Sequence, residues 1–202
     1  MPVLPYGNDR MTLLSDSPYD RVMVFIDYRN VLKSSSLGQD FKLDLYALCK
    51  ELTGDRRLVA AYVFDTRAPY GLEDPAHKTH DRLRYLGFRV IARESYDPNR
   101  QEQKEVDVAM ACEMVAHAYK DNYDVAIVVS GDRDFVPAIQ HIQSAGKRVE
   151  VAAYSDAFSN EMLKMCDVYH KLDALPLLRI DSDLSNDRKD VTSSDADEGG
   201  EE

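Results

Sequence analysis

The chain lacks what membrane, exported and zinc-bound proteins depend on. No apolar run approaches the roughly 20 residues that span a bilayer. Residues 1–20 have no basic segment followed by an apolar one, the signature of an export signal. A soluble, unsecreted, cytoplasmic protein is therefore expected. Cysteine is scarce: Cys49, Cys112 and Cys166 are odd in number, scattered, and without CxxC or metal-ligand spacing. They read as reduced, buried thiols. Internal repeats are missing, and so is any basic excess. The net charge is -11, of which residues 181–202 carry -7 (nine acidic against two basic side chains), leaving -4 for residues 1–180. That acidic end is poor in apolar side chains and cannot offset its ordering entropy, so it is expected to be disordered.

What remains is ample for one core. With 202 residues and 44% hydrophobic side chains, the chain can bury a single α/β domain but not two large ones. The expected organisation is an irregular lead-in over residues 1–20, one domain over 21–178, and the acidic tail over 179–202. Val125-Ala-Ile-Val-Val129 is a short β-branched run that stops at Ser130-Gly131. Apolar residues then recur at Phe135, Val136, Ile139 and Ile142, the spacing of a helix that covers a sheet. Gly146 ends that helix, and Val149 and Val151 begin another strand. Such a crossover makes the two strands parallel.

The same alternation runs through the rest of the chain. Residues 22–26 and 58–64 are continuous apolar runs of the kind that central parallel strands require, and each ends in an acid, Asp27 and Asp65. Helices are expected over 43–52, with apolar positions 45, 48 and 52, and over 76–86. A strand follows at 88–92, a polar loop at 95–103, and a helix at 104–119 with Val108, Ala111, Met114, Val115 and Ala118 on one face. A short helix at 160–165 and a last edge strand at 166–170 complete the series. Alternation of this kind predicts a three-layer α/β fold with a mostly parallel sheet of about five strands.

Several carboxylates need explaining. Asp132 and Asp134 lie just past one buried strand and Asp27 at the end of another, where open parallel sheets form their ligand crevices. Asp107 shares a helical stripe with Ala111, Met114 and Ala118. It therefore either reaches the open end of the sheet or the helix has a different phase. Singly, each acid reads as a cap or a loop residue. Together, four carboxylates in one crevice make physical sense around a cation, and all-oxygen ligands suit Mg²⁺ or Mn²⁺ rather than zinc. Arg29, Lys33, Arg67, Arg100, Lys104 and Arg133 gather at the same predicted edge. An acidic centre ringed by cations suits a phosphodiester. Asn30, one turn from Asp27, is either a helix cap or a group that orients water or a phosphate oxygen.

Four blocks carry a family resemblance: Phe25-Ile-Asp27-Tyr-Arg-Asn30, Lys104-Glu-Val-Asp107-Val-Ala109, Val129-Ser-Gly-Asp132-Arg-Asp134-Phe-Val-Pro137, and Gly146-Lys-Arg-Val-Glu-Val151. Over residues 20–175 the chain resembles the NYN domain of the LabA-like group, a branch of the PIN-like nuclease superfamily. The resemblance implies sheet order 3-2-1-4-5 and a divalent-metal ribonuclease acting on single-stranded RNA. Asp27, Asp107, Asp132 and Asp134 would be the acidic centre that holds Mg²⁺ or Mn²⁺. Asn30, Arg29, Lys104 and Arg133 would meet the substrate. The chain departs from the family at Tyr28 and Arg29, where Gly and Asn are common. That places bulk and charge beside Asp27. Residues 1–180 are not basic overall, so affinity for RNA is expected to be modest and salt-sensitive, with a protein partner as a source of specificity.

Other classes fit less well. A haloacid-dehalogenase phosphatase would need Asp-x-Asp after its first strand, where this chain has Asp27-Tyr28-Arg29. Adhesion-type metal domains want Asp-x-Ser-x-Ser there, and P-loop or dinucleotide folds a glycine-rich turn. A PIN-like module that binds RNA or protein without turnover uses the same residues and stays open as the alternative.

Overall fold

Strands form where apolar residues occupy consecutive positions, because both faces of the sheet are covered. In the computed structural model, which describes residues 17–34, 43–69, 74–94 and 101–175, β1 (Arg21–Asp27) is buried from Val22 onward. It pairs in parallel with β2 (Arg57–Arg67) on one side and β4 (Val125–Val129) on the other. β3 (Arg89–Glu94) pairs with β2, and β5 (Arg148–Ala153) with β4. The edge strand expected at 166–170 is present as β6 (Val168–Lys171), a sixth parallel strand that takes the sheet past the expected count of about five, in the order β3-β2-β1-β4-β5-β6. Its four residues are only half-buried, which is why its sequence reads weakly as a strand.

Strand periodicity sorts the side chains into two cores. Met23, Phe25, Tyr62, Phe64, Ala126, Val128, Val149 and Val151 face one layer. That layer is built of α4 (Gln101–Tyr119), α5 (Val136–Ser144) and α6 (Asn160–Met165). Val22, Val24, Ile26, Val63, Ile127 and Val129 face the opposite layer, formed by α1 (Tyr28–Ser34), α2 (Leu45–Thr53) and α3 (Pro75–Tyr85). The result is a doubly wound α/β/α sandwich.

Local chemistry sets the helix ends. Asp44 caps α2 by accepting from the backbone N–H groups of Tyr46 and Ala47, each at 3.0 Å. Asp74 does the same for α3 at Ala76, and Pro75 occupies the first helical position, where its missing N–H costs nothing. Gly146 follows α5 with φ +77°, a backbone angle that side chains with a Cβ resist.

Three expectations need correction. The buried stripe of α4 is Val106, Met110, Met114 and Ala118, whereas Val108 is 62% exposed. Met110, followed by Ala111, rotates the apolar seam away from the phase that Val108 and Val115 suggested. Cys112 lies outside that seam and is exposed, while Cys49 and Cys166 are buried as expected. β2 continues to Arg67, so Asp65 lies within the strand and does not end it. The lead-in before residue 17, Arg100, the side chain of Lys33 and the tail from residue 176 lie outside the described residues.

Candidate functional site

The order of the strands reverses between β1 and β4: the chain steps outward through β2 and β3, then crosses back to β4. Open α/β sheets form their binding crevices outside the carboxyl ends of the strands at such a switch point. Asp27 is the last residue of β1. Its parity with Met23 and Phe25 turns its side chain to the face covered by α4, where it is only 3% exposed. A carboxylate buried that deeply requires donors. Its Oδ1 accepts the Asn30 backbone N–H at 3.1 Å, which makes Asp27 the cap of α1. Its Oδ2 accepts the Ser130 hydroxyl at 3.3 Å.

Ser130 immediately follows β4 and shares the parity of Val128, so it meets Asp27 across the strand pair. Its Oγ also accepts the Asp132 backbone N–H at 3.2 Å. One hydroxyl thereby links the loops that carry the two acids. A second link comes from Asn30, whose Oδ1 accepts the Gly131 N–H at 3.1 Å. Asn30 thereby ties α1 to the β4 loop. Gly131 has no room for a side chain: a Cβ there would stand 2.2 Å from the Ala157 carbonyl oxygen. The β4 turn is held between Asn30 on one side and the 157–158 backbone on the other.

Asp132 Oδ1 accepts the Asp134 N–H at 3.0 Å and caps a 3-10 turn over Arg133–Phe135. Phe135 is buried in the core under that turn. The capping acid is half-buried, whereas Arg133 and Asp134 are exposed. α4 begins on the carboxyl side of β3 and runs back across the sheet, packing over β1, β2 and β3 and against the 3-10 turn and α5. Asp107, in its second turn, is half-buried at the margin of the apolar stripe. Lys104, one turn earlier, is exposed.

The predicted residues are thus partly assembled. Asp27, Asn30 and Asp132 are joined through Ser130 and Gly131, with Arg133 and Asp134 on the outer side of the same turn. Among the described residues, no three carboxylate, imidazole or thiol side chains converge as a ready-made metal cage. The expected meeting of Asp27, Asp107, Asp132 and Asp134 is therefore not a preformed cluster. Asp27 and Asp132 both hold their loops through hydrogen bonds, which sets where their oxygens lie.

Arg29 is more constrained than its position suggested. Its Nε donates to Asp65 Oδ1 at 3.0 Å and its Nη2 to the Thr66 carbonyl at 3.0 Å. Asp65 is 3% exposed and also accepts from the Thr66 N–H at 2.7 Å and from His80 Nε2 at 2.8 Å. Tyr28, half-buried beside this group, has its phenol pushed up by burial and by the Asp65 charge. Arg67 pairs with Glu94 at 3.1 Å, which draws it to the β3 side. In the sequence Asp65 stands out only as a strand-end acid with no role of its own. Its equivalence to Asp27, one acid closing each apolar run, was the available signal. Nothing in the sequence marked His80, which lies on a charged helix.

The fold and the switch-point acids define a PIN-like α/β/α domain. Residues 21–173 match the NYN domain, a nuclease-related family of that kind, and the chain belongs to it. It is similar to an uncharacterized protein of Methanocaldococcus jannaschii, with 24% identity over 152 residues. That match takes in 75% of this chain and about 55% of the relative's length. A crystal structure of a protein of unknown function from Vibrio parahaemolyticus shares the fold at TM-score 0.64 and 21% identity. It covers 80% of this chain and 98% of its own. Among the described residues no helix is long and apolar enough to cross a membrane.

Proposed function

We propose that the chain is a cytoplasmic, LabA-like, divalent-metal-dependent ribonuclease that hydrolyses single-stranded RNA, with residues 21–178 as its working domain. The observation that carries this reading is the Asp27–Ser130–Asp132 linkage at the switch point. Two carboxylates from adjacent parallel strands are held there, and a carboxylate oxygen that accepts a hydrogen bond can also ligate a cation through its second lone pair. The donor chemistry fits a hard cation. Mg²⁺ keeps several of its waters and takes one or two protein carboxylates together with substrate phosphate, so a closed cage is not required. Asp27 and Asp132 would hold the ion, with Asp107 and Asp134 flanking it. A bound Mg²⁺ or Mn²⁺ would acidify water and neutralise charge on the phosphate.

The remaining roles follow from position. Asn30 and Ser130 keep the two acid-bearing loops in register. Lys104 and Arg133, both exposed at the same edge, offer charge to phosphate oxygens. Arg29 adds a third cation over β2.

Cleavage of end-labelled single-stranded RNA by the full chain in Mn²⁺, Mg²⁺ or EDTA tests the proposal, run beside Asp132→Asn and Asp27→Asn. Metal-dependent cutting that falls at least 100-fold in both variants is expected. Equal cutting by wild type and variants would sink the acidic centre. A competing reading, an RNA- or protein-binding module whose acids hold a structural cation without turnover, draws on the structural use of Asp27 and Asp132 as caps of their turns. It expects thermal stabilisation by the cation with no cleavage of any RNA or DNA.

A further inference from the structure

Arg29 sits two residues after Asp27, yet its side chain crosses to the neighbouring strand. β1 and β2 pair with Asp27 opposite Phe64, so Asp65 is one step beyond that register. Adjacent strands lie ~4.8 Å apart. Arg29 thus spans one strand spacing along the carboxyl edge, away from the switch point and toward the start of α3. A guanidinium has five N–H donors. Here the edge formed by Nε and Nη2 is engaged by Asp65 and the Thr66 carbonyl, and the side chain remains 34% exposed.

The support behind Arg29 is unusually complete. Asp65 takes donors from Arg29, from the Thr66 backbone and from His80, whose ring is 1% exposed. Since a carboxylate only accepts, His80 carries its proton on Nε2. Its Nδ1 is buried and unpartnered. An unpaired ring acceptor is tolerable there, whereas an N–H would be a stranded donor, so the surroundings select one tautomer and one ring orientation. The Ala68 and Ala76 N–H groups hold the Asp74 carboxyl below its ordinary value, and the His77 and Arg29 charges add to that. A surface ion pair needs none of this; a buried acid fixed from three sides behaves as an anchor.

We propose that Asp65, Thr66 and His80 are an anchor that fixes Arg29 by one edge of its guanidinium and leaves the Nη1 edge to bind a backbone phosphate next to the one held at Asp27 and Asp132. Asp65 and His80 are positioning residues in this scheme, and Arg29 is the residue that meets the ligand. The inference rests on the RNA reading above. It adds a direction: the bound strand runs from the switch point over β2.

The test is binding of a fluorescein-labelled single-stranded oligoribonucleotide to the full wild-type chain, with both acids intact, in Ca²⁺, an oxygen-bound cation that acidifies water less than Mg²⁺ does, measured by anisotropy over a range of salt. Into that parent go Arg29→Lys and Asp65→Asn, with melting curves to show that each is folded. Arg29→Lys keeps the charge, but its single ammonium is drawn to Asp65. The slope of log affinity against log salt is expected to become shallower by about 0.7, the value for one phosphate fewer neutralised on a single strand. Asp65→Asn removes a negative charge, so general electrostatics would tighten binding. The anchor instead predicts weaker binding, by about 3-fold or more. An unchanged slope in Arg29→Lys overturns the proposal, as does tighter or equal binding in Asp65→Asn. If Asp65→Asn does not fold, Arg29→Lys decides alone. No binding by the parent at any salt overturns the RNA reading itself, and this inference with it.

Discussion

Gly131 concentrates the site's geometry in a single missing atom. Its N–H is held by Asn30, and its Cα faces the Ala157 carbonyl with no space between them. Because the obstacle is backbone, no side-chain rotation relieves it. Gly131→Ala is expected to lower stability by ~1–3 kcal/mol, the usual range for forcing a methyl into a packed site. It should also reduce RNA cleavage at least 10-fold by moving Ser130 off Asp27. Melting and cleavage measured on the same preparation check this. A variant with unchanged melting and full activity would show that the turn is free to move. Asn30→Ala removes the acceptor for the Gly131 N–H, with an expected cost of ~1–3 kcal/mol for the unsatisfied donor, read from urea midpoints.

At the scale of elements, α4 joins the core to the candidate site. Met110 and Met114 are fully buried against Phe25 and Phe64, and that packing sets how far around the helix Asp107 points. Met110→Ala is expected to destabilise the protein by ~2–5 kcal/mol, whereas Val108→Ala should stay within ~0.5 kcal/mol. Urea unfolding of the two variants reads the helix phase directly. A larger loss from Val108→Ala would restore the phase that the sequence alone suggested.

For the whole molecule, the most demanding buried charge is Glu150, in β5, which draws Arg56 from 94 positions away. It is 1% exposed and meets Arg56 at 2.6 and 3.1 Å, Arg148 at 2.6 Å and His170 at 2.8 Å. Burial pushes its carboxyl up, but the His170 and Arg56 hydrogen bonds and charges together outweigh it and hold the group at about 2, below its ordinary value of 4.5. A carboxyl depressed on folding contributes stability that is fully present above its unfolded value. That stability is lost as pH falls from about 4.5 toward 2. Glu150→Gln is expected to cost ~3–5 kcal/mol near neutral pH by removing the buried negative charge that Arg56, Arg148 and His170 share. It should also flatten the acid limb between those pH values, measured by urea midpoints from neutral pH down through that window. An acid limb as steep as wild type would assign acid unfolding to Asp124, held at about 2 by Arg21, instead.

The sequence by itself determined the doubly wound class and most of the elements. Continuous apolar runs declare buried parallel strands, and alternation with helical spacing declares the crossovers, both from local periodicity. The order of blocks also located Asp27 at the end of one strand and Asp132 just past another, since where an element stops is largely a local matter. Tertiary structure alone decided the rest. Which side of α4 is buried depends on the shape of the sheet beneath it, so Val108 was misjudged. The bonds from Ser130 to Asp27 and from Gly131 to Asn30 join residues about a hundred positions apart, and local pattern carries no information about such pairs. Arg29 shows the point most clearly. Its place beside Asp27 in sequence suggested one crevice, but a buried Asp65 on the next strand, braced by His80, draws its side chain elsewhere.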